Sequence, residues 1–205
     1  MIQPPAGHKF TPKTTPLHVY QLVMQLLRIT FENISEDEDF PFIYTNDSKT
    51  TGITLDTTFS KETPHYGIRP LVIVSRGNIS TQPVGLGDIA EASLGTTKKY
   101  KTTVVQSGVV IKILSKKSAE VDLLSNVIYG FLTSCRTILP ALTSIHQIKG
   151  IDMSQVATLE EDDHMFYTQA SINYVMQYQW TWDFTPVLLN EIGLHINEEL
   201  ILDLK

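Results

Sequence analysis

The chain holds a single cysteine, Cys135, so no disulfide can form within it, and a folded life in a reducing cytoplasm is the simplest expectation. Long apolar runs are missing as well. No stretch approaches the roughly 20 apolar residues that a membrane-spanning helix needs. The N-terminal region carries Pro4, Pro5, Gly7 and Pro12 with no apolar core, unlike a secretory signal. The protein is therefore expected to be soluble, and the acceptor-like triplets at Asn33, Asn46 and Asn78 are read as chance. Positive charge is not in excess: the formal net charge is −6. Gripping nucleic acid by its phosphates needs a basic surface that releases counterions. An acidic wall can instead repel a duplex and let it slide past.

Signatures of catalysis are scarce too. Gly85-Leu86-Gly87-Asp88 matches neither the phosphate-cradling loop nor the dinucleotide fingerprint, and no Gly-x-Ser-x-Gly elbow occurs. Cys135 shares a helical face with Phe131, Leu132 and Leu139, where an inert core thiol is expected. The histidines show neither His-x-His nor His-x-x-x-His spacing. Asp162-Asp163-His164 reads as a solvated turn, and the acidic run Glu36-Asp37-Glu38-Asp39 lacks the alternating ligands and glycine of a calcium loop. No catalytic residue, cofactor or metal is expected, and Glu36, Asp37, Glu38 and Asp39 are candidates for the wall of a channel that DNA passes.

What is present suits one α+β domain, with an antiparallel sheet flanked by two helices. Its 205 residues are ample for a core. Residues 1–15 read as an irregular arm. Thr15-Pro16 starts a helix, and Leu17, Tyr20, Val23, Met24, Leu27 and Phe31 follow at helical spacing, predicting a helix over 16–33. Residues 36–64 read as loop with one or two short strands. Leu71-Val72-Ile73-Val74 is a β-branched run of strand length. Residues 83–101 then read as a long functional loop, followed by a strand over 102–114 in which Gly108 marks a bulge. Val121, Leu124, Ile128, Phe131, Leu132, Cys135 and Leu139 predict a second helix over 119–138, stopped by Pro140. A strand over 143–151 follows.

Residues 166–184 give the clearest pattern. Phe166, Thr168, Ala170, Ile172, Tyr174, Met176, Tyr178, Trp180, Trp182 and Phe184 alternate with mostly polar residues. Such a beat describes a strand with one apolar face. At about 3.3 Å per residue it would extend roughly 60 Å, several times the usual strand length. The expectation is that it either bends into two sheets or projects in part beyond its own domain, where it could pair with a second copy. Core or interface packing is a better account of its aromatics than a stacking platform for single strands, because Gln, Asn and Asp lie between them where basic residues would be needed. The tail 186–205, with Leu188, Leu189 and Ile192, is apolar enough to need a surface to lie on.

The order helix, strand, loop, strand, helix, strand, long strand resembles the tail-terminator family of tailed bacteriophages and the related head–tail joining proteins. The residues that carry it are Pro16-Leu17-His18-Val19-Tyr20-Gln21-Leu22-Val23, Ser107-Gly108-Val109-Val110-Ile111-Lys112-Ile113, Ser118-Ala119-Glu120-Val121-Asp122-Leu123-Leu124 and Gln179-Trp180-Thr181-Trp182. The resemblance implies a non-catalytic virion protein, assembled in the host cytoplasm. It would form a hexameric ring that caps the tail tube, meets a head-side connector and lets DNA through its lumen without specific binding. Under that reading Lys98, Lys99 and Lys101 are the candidate tube-docking residues, and Trp180, Trp182, Leu188, Leu189 and Ile192 the candidate subunit interface. The competing readings are a tail-tube, sheath-associated or baseplate subunit, a metal-dependent hydrolase built on Asp163, His164 and His146, and a peptide-binding module.

Overall fold

The computed structural model describes residues 9–34, 40–47, 50–57, 70–81, 90–94, 98–160 and 162–183, and at 9–14, 90–94, 98–101, 162–163 and 182–183 the description is of the backbone. The first helix, α1 (Pro16–Glu32), begins where the cap pattern places it. His18 Nδ1 accepts a hydrogen bond from the Thr15 backbone N–H at 3.1 Å, tying down the helix entry. Val19, Tyr20, Val23, Met24, Leu27 and Phe31 form its buried stripe.

The second helix, α2 (Ser118–Leu142), runs past Pro140 instead of stopping before it. A proline this close to the end removes one backbone bond in the last turn, and the exposed terminus can absorb its ring. The true stop lies at Thr143, whose N–H and hydroxyl both donate to Leu139 O, at 3.0 and 2.6 Å.

The strands are β1 (Lys9–Thr14), β2 (Thr54–Thr57), β3 (Leu71–Arg76), β4 (Ser80–Thr81), β5 (Ala90–Leu94), β6 (Lys98–Ser115), β7 (Ile145–Met153), β8 (Ala157–Leu159) and β9 (Asp162–Asp183). They form one sheet, antiparallel except where β2 joins β3. The alternating segment is β9, as its pattern predicts, but it does not reach out for a second copy. Along one edge it pairs with β6, from Ser115↔Phe166 to Lys98↔Asp183. Along the other it meets β8, β7 and β1 in turn. Between those partners, Ser154 N–H donates to Gln169 O and Gln177 N–H to Ser144 O. From Phe166 to Asp183, β9 is therefore paired within its own chain along the β6 edge and, segment by segment, along the other.

Two corrections explain this. The segment 83–101, expected as a loop, contributes β5 and the first residues of β6, so Lys98, Lys99 and Lys101 belong to a strand. Residues 9–14, expected as part of an arm, add β1 beside the far end of β9.

On one face α1 lies over β3 and β6, and α2 over β6, β7 and β9. On that face Ala170, Ile172, Tyr174 and Met176 of β9 are buried with Val109, Ile111 and Ile113 of β6. The opposite face of β9 carries half-buried Gln169, Ser171, Asn173 and Gln177, and a small cluster of Leu71, Leu114 and Met165 closes one end of the sheet. Residues 40–57 hold β2 but no strand at Phe42-Ile43-Tyr44. Phe40 instead stacks on Phe31 at 6.3 Å and meets Phe42 edge-on at 5.4 Å.

Gly108 is no bulge, since the β6–β9 register runs through Gly108↔Asn173 unbroken. A glycine is needed there for close approach: a Cβ would lie 2.7 Å from Asn173 Oδ1 and 3.0 Å from Ile172 O. Gly52 is tighter, with a Cβ only 2.6 Å from the Pro41 carbonyl oxygen. Gly52→Ala should therefore lower stability by about 1–3 kcal/mol through overpacking, read from urea unfolding. Gly108→Ala should cost less, because the Asn173 amide can swing aside. A neutral Gly52→Ala would refute the close approach.

Candidate assembly site

A helix rises about 1.5 Å per residue and a strand about 3.3 Å. Seventeen residues of α1 therefore cover roughly 25 Å and the 22 of β9 extend roughly 70 Å. The helical layer cannot cover the whole face, and a groove of about 690 Å³ opens where α1 starts. Thr15, Pro16 and Leu17 form one wall, Arg76, Ile79 and Thr81 another, and Thr103, Val105, Tyr178 and Trp180 the floor.

Tyr178 and Trp180 continue the face that buries Tyr174 and Met176, yet are half-buried themselves. Their rings meet at 5.2 Å, tilted by 40°. Leu17 and Ile79 are 42% and 45% exposed, and Arg76 is the charged residue among the described lining. Apolar walls with a cation at the rim suit an apolar chain segment carrying a carboxylate. Around this tip β1, β9, β6 and β5 lie side by side.

Of the expected interface residues, Trp180 lines the groove. Trp182 is placed by its backbone, opposite Phe10 and Lys99. Leu188, Leu189 and Ile192, and the acidic Glu36, Asp37, Glu38 and Asp39, lie outside the described residues. Lys98, Lys99 and Lys101 fall on the β6 segment at the tip, in register with Asp183, Trp182 and Trp180. Leu17, Arg76, Ile79 and Tyr178 were not singled out as a site by the sequence. For Tyr178 the signal was present in its place on the apolar beat; for Ile79, an isolated residue between short strands, there was none.

The residues of the hydrolase reading are not brought together. His146 adjoins Ile145, which pairs with Met176, twelve positions along β9 from His164 and so roughly 40 Å away. No group of three His, Cys, Asp or Glu that could hold a metal occurs among the described residues. No helix among them is long and apolar enough to cross a membrane. No family model matches the sequence, and no curated protein matches it.

Cys135 is fully buried on α2, and burial pushes its thiol from 9.0 up to about 12. Tyr174 sits opposite Ser107 across the ladder, and the two buried hydroxyls fall short of hydrogen-bond geometry. Burial pushes the Tyr174 phenol from 10.0 up to about 12, opposed by the Ser107 hydroxyl and the Arg76 charge. Both groups ionise at lower pH in the unfolded chain than in the folded one. Their stabilisation is thus complete below pH 9.0 for the thiol and 10.0 for the phenol, and is lost as pH climbs to about 12. Tyr174→Phe should flatten the alkaline fall in stability between pH 10 and 12, leaving the part due to Cys135; urea titrations across that window would show an unchanged slope if Tyr174 plays no part.

Proposed function

We propose that this chain is a structural assembly subunit, of the tail-terminator or neck type of tailed bacteriophages, that closes into a ring. The observation that carries the reading is that one molecule offers two unlike unsatisfied surfaces. One is the apolar groove at the tip of the sheet. The other is the outer edge of β7, nine residues long, which pairs on one side with β9 and has no strand on its other side among the described residues. A ring subunit needs self-complementary but non-identical surfaces that meet head to tail and close after a fixed rotation. The α+β class, with two helices against a mainly antiparallel sheet, is compatible with that reading, although β1 precedes α1 and strands replace the loop expected at 83–101.

The joint between copies is not the β9 backbone, whose hydrogen bonds are made within the chain. It is formed by side-chain docking and by free strand edges, which are ready templates for pairing. A tube end on one side and a head connector on the other would be the ring's partners, with DNA passing through. The reading calls for a closed oligomer of the 23.1 kDa chain, seen as one discrete mass by light scattering and as discs with a central hole in negative stain. Open-ended tubes would point to a tail-tube subunit, and a concentration-independent monomer to a peptide-binding module; either contradicts the ring.

A further inference from the structure

The strand that floors the groove also delivers the segment best suited to fill one. Trp180 lines the groove, and β9 ends three residues later at Asp183, about 10 Å further on. Residues 184–205 follow, with Val187, Leu188, Leu189 and Ile192 among the first of them. We propose that the segment 187–192 of one copy seats in the groove of a second copy, a contact that rests on the ring reading above and makes it specific.

Three observations converge on this occupant. The first is apolar matching. Leu17 at the start of α1, Ile79, Tyr178 and Trp180 line an open apolar surface over the nearly buried Val105, and Val187-Leu188-Leu189 and Ile192 supply side chains that water disfavours equally. A volume of about 690 Å³ lies within the roughly 300–1,000 Å³ of pockets that engulf a ligand. That suits a few side chains rather than a whole domain face.

The second is charge. Residues 184–205 carry Glu191, Glu198, Glu199 and Asp203 against Lys205 alone, while Arg76 is the charged residue of the groove among those whose side chains are described. Glu191 lies within the apolar run, so a carboxylate accompanies the side chains that enter. An Arg–carboxylate contact at the rim sets register and approach rate more than affinity.

The third is direction. At Asp183 the chain has passed the groove and is still extended, hydrogen-bonded to β6 and β1 on either side. Filling its own groove would require reversing within Phe184-Thr185-Pro186. Continuing outward brings the segment to a neighbour instead. Groove and tail are unlike surfaces on one molecule, so each copy gives its tail to the next and receives one from the last, the arrangement a head-to-tail ring requires. Because both edges of β9 are occupied where it ends at Asp183, the tail is held by side chains and not by extending the ladder.

Cys135 is buried and its thiol is held neutral, so introduced cysteines report cleanly. Full-length chains bearing Ile79→Cys and differently tagged full-length chains bearing Leu189→Cys are mixed and oxidised. The expected product is a disulfide joining the two tags. A second experiment makes Leu188→Asp and Leu189→Asp together in the full chain. It should shift the assembly to monomer by light scattering and leave the far-ultraviolet circular dichroism of the domain unchanged. A ring that persists in this variant, absence of the mixed disulfide in an intact ring, or a disulfide formed only inside a doubly substituted chain would overturn the tail exchange and leave the ring reading standing. A wild-type chain that is monomeric at every concentration would instead remove the ring reading, and the exchange with it.

Discussion

The ladder between β6 and β9 is the constraint from which the rest of the molecule follows. Eighteen residues of β6 pair without a register shift against β9, and every other element attaches to one of these two strands or to a neighbour of one. Register decides the core. A slip of one residue would turn Ala170, Ile172, Tyr174 and Met176 outward and bring Gln169, Ser171, Asn173 and Gln177 beneath the helices. Gly108 helps to hold that register, because a larger residue there would strike Asn173 and the Ile172 carbonyl.

The same ladder creates the candidate site by being longer than anything available to cover it. Helices advance less than half as far per residue as strands, so 17 and 25 helical residues cannot roof strands of 18 and 22. The face left over is still the apolar one, since the alternation continues through Tyr178 and Trp180. An apolar floor without a roof, beside a cation, is a surface with an unmet partner. The proposed assembly role and the proposed tail exchange are two levels of the same reading of that surface.

Features written in local periodicity were legible in the sequence. The faces of α1 and α2 and the apolar beat of β9 depend on side chains three, four or two positions apart, and the fold class followed from them. Features that depend on distant pairing were not. Pro12 and its polar neighbours gave no sign that residues 9–14 would lie against 179–183. Nothing local in Lys98-Lys99-Tyr100-Lys101 announced that it extends a central strand. A glycine inside a strand can mark a bulge or a close approach, and Gly108 proved to be the second. The alternation shows most of β9 but not its start, since Asp162-Asp163-His164, expected as a turn, already belongs to the strand; the chain also supplies β6, β8, β7 and β1 as partners, so length alone does not imply a shared strand. The groove draws on α1, β3, β4, β6 and β9; Trp180 stands out in the sequence, but its neighbours in the groove do not until topology brings them together.

Amide hydrogen exchange on the dilute chain tests the central claim most directly, because it reports which backbone groups are bonded within one molecule. The account predicts that residues 105–113 and 170–176 are the slowest to exchange, that 179–183 are protected as well, and that these values do not change as concentration falls below that of any oligomer. Protection of β9 that appears only on association would mean the strand is shared between copies after all, and would contradict it.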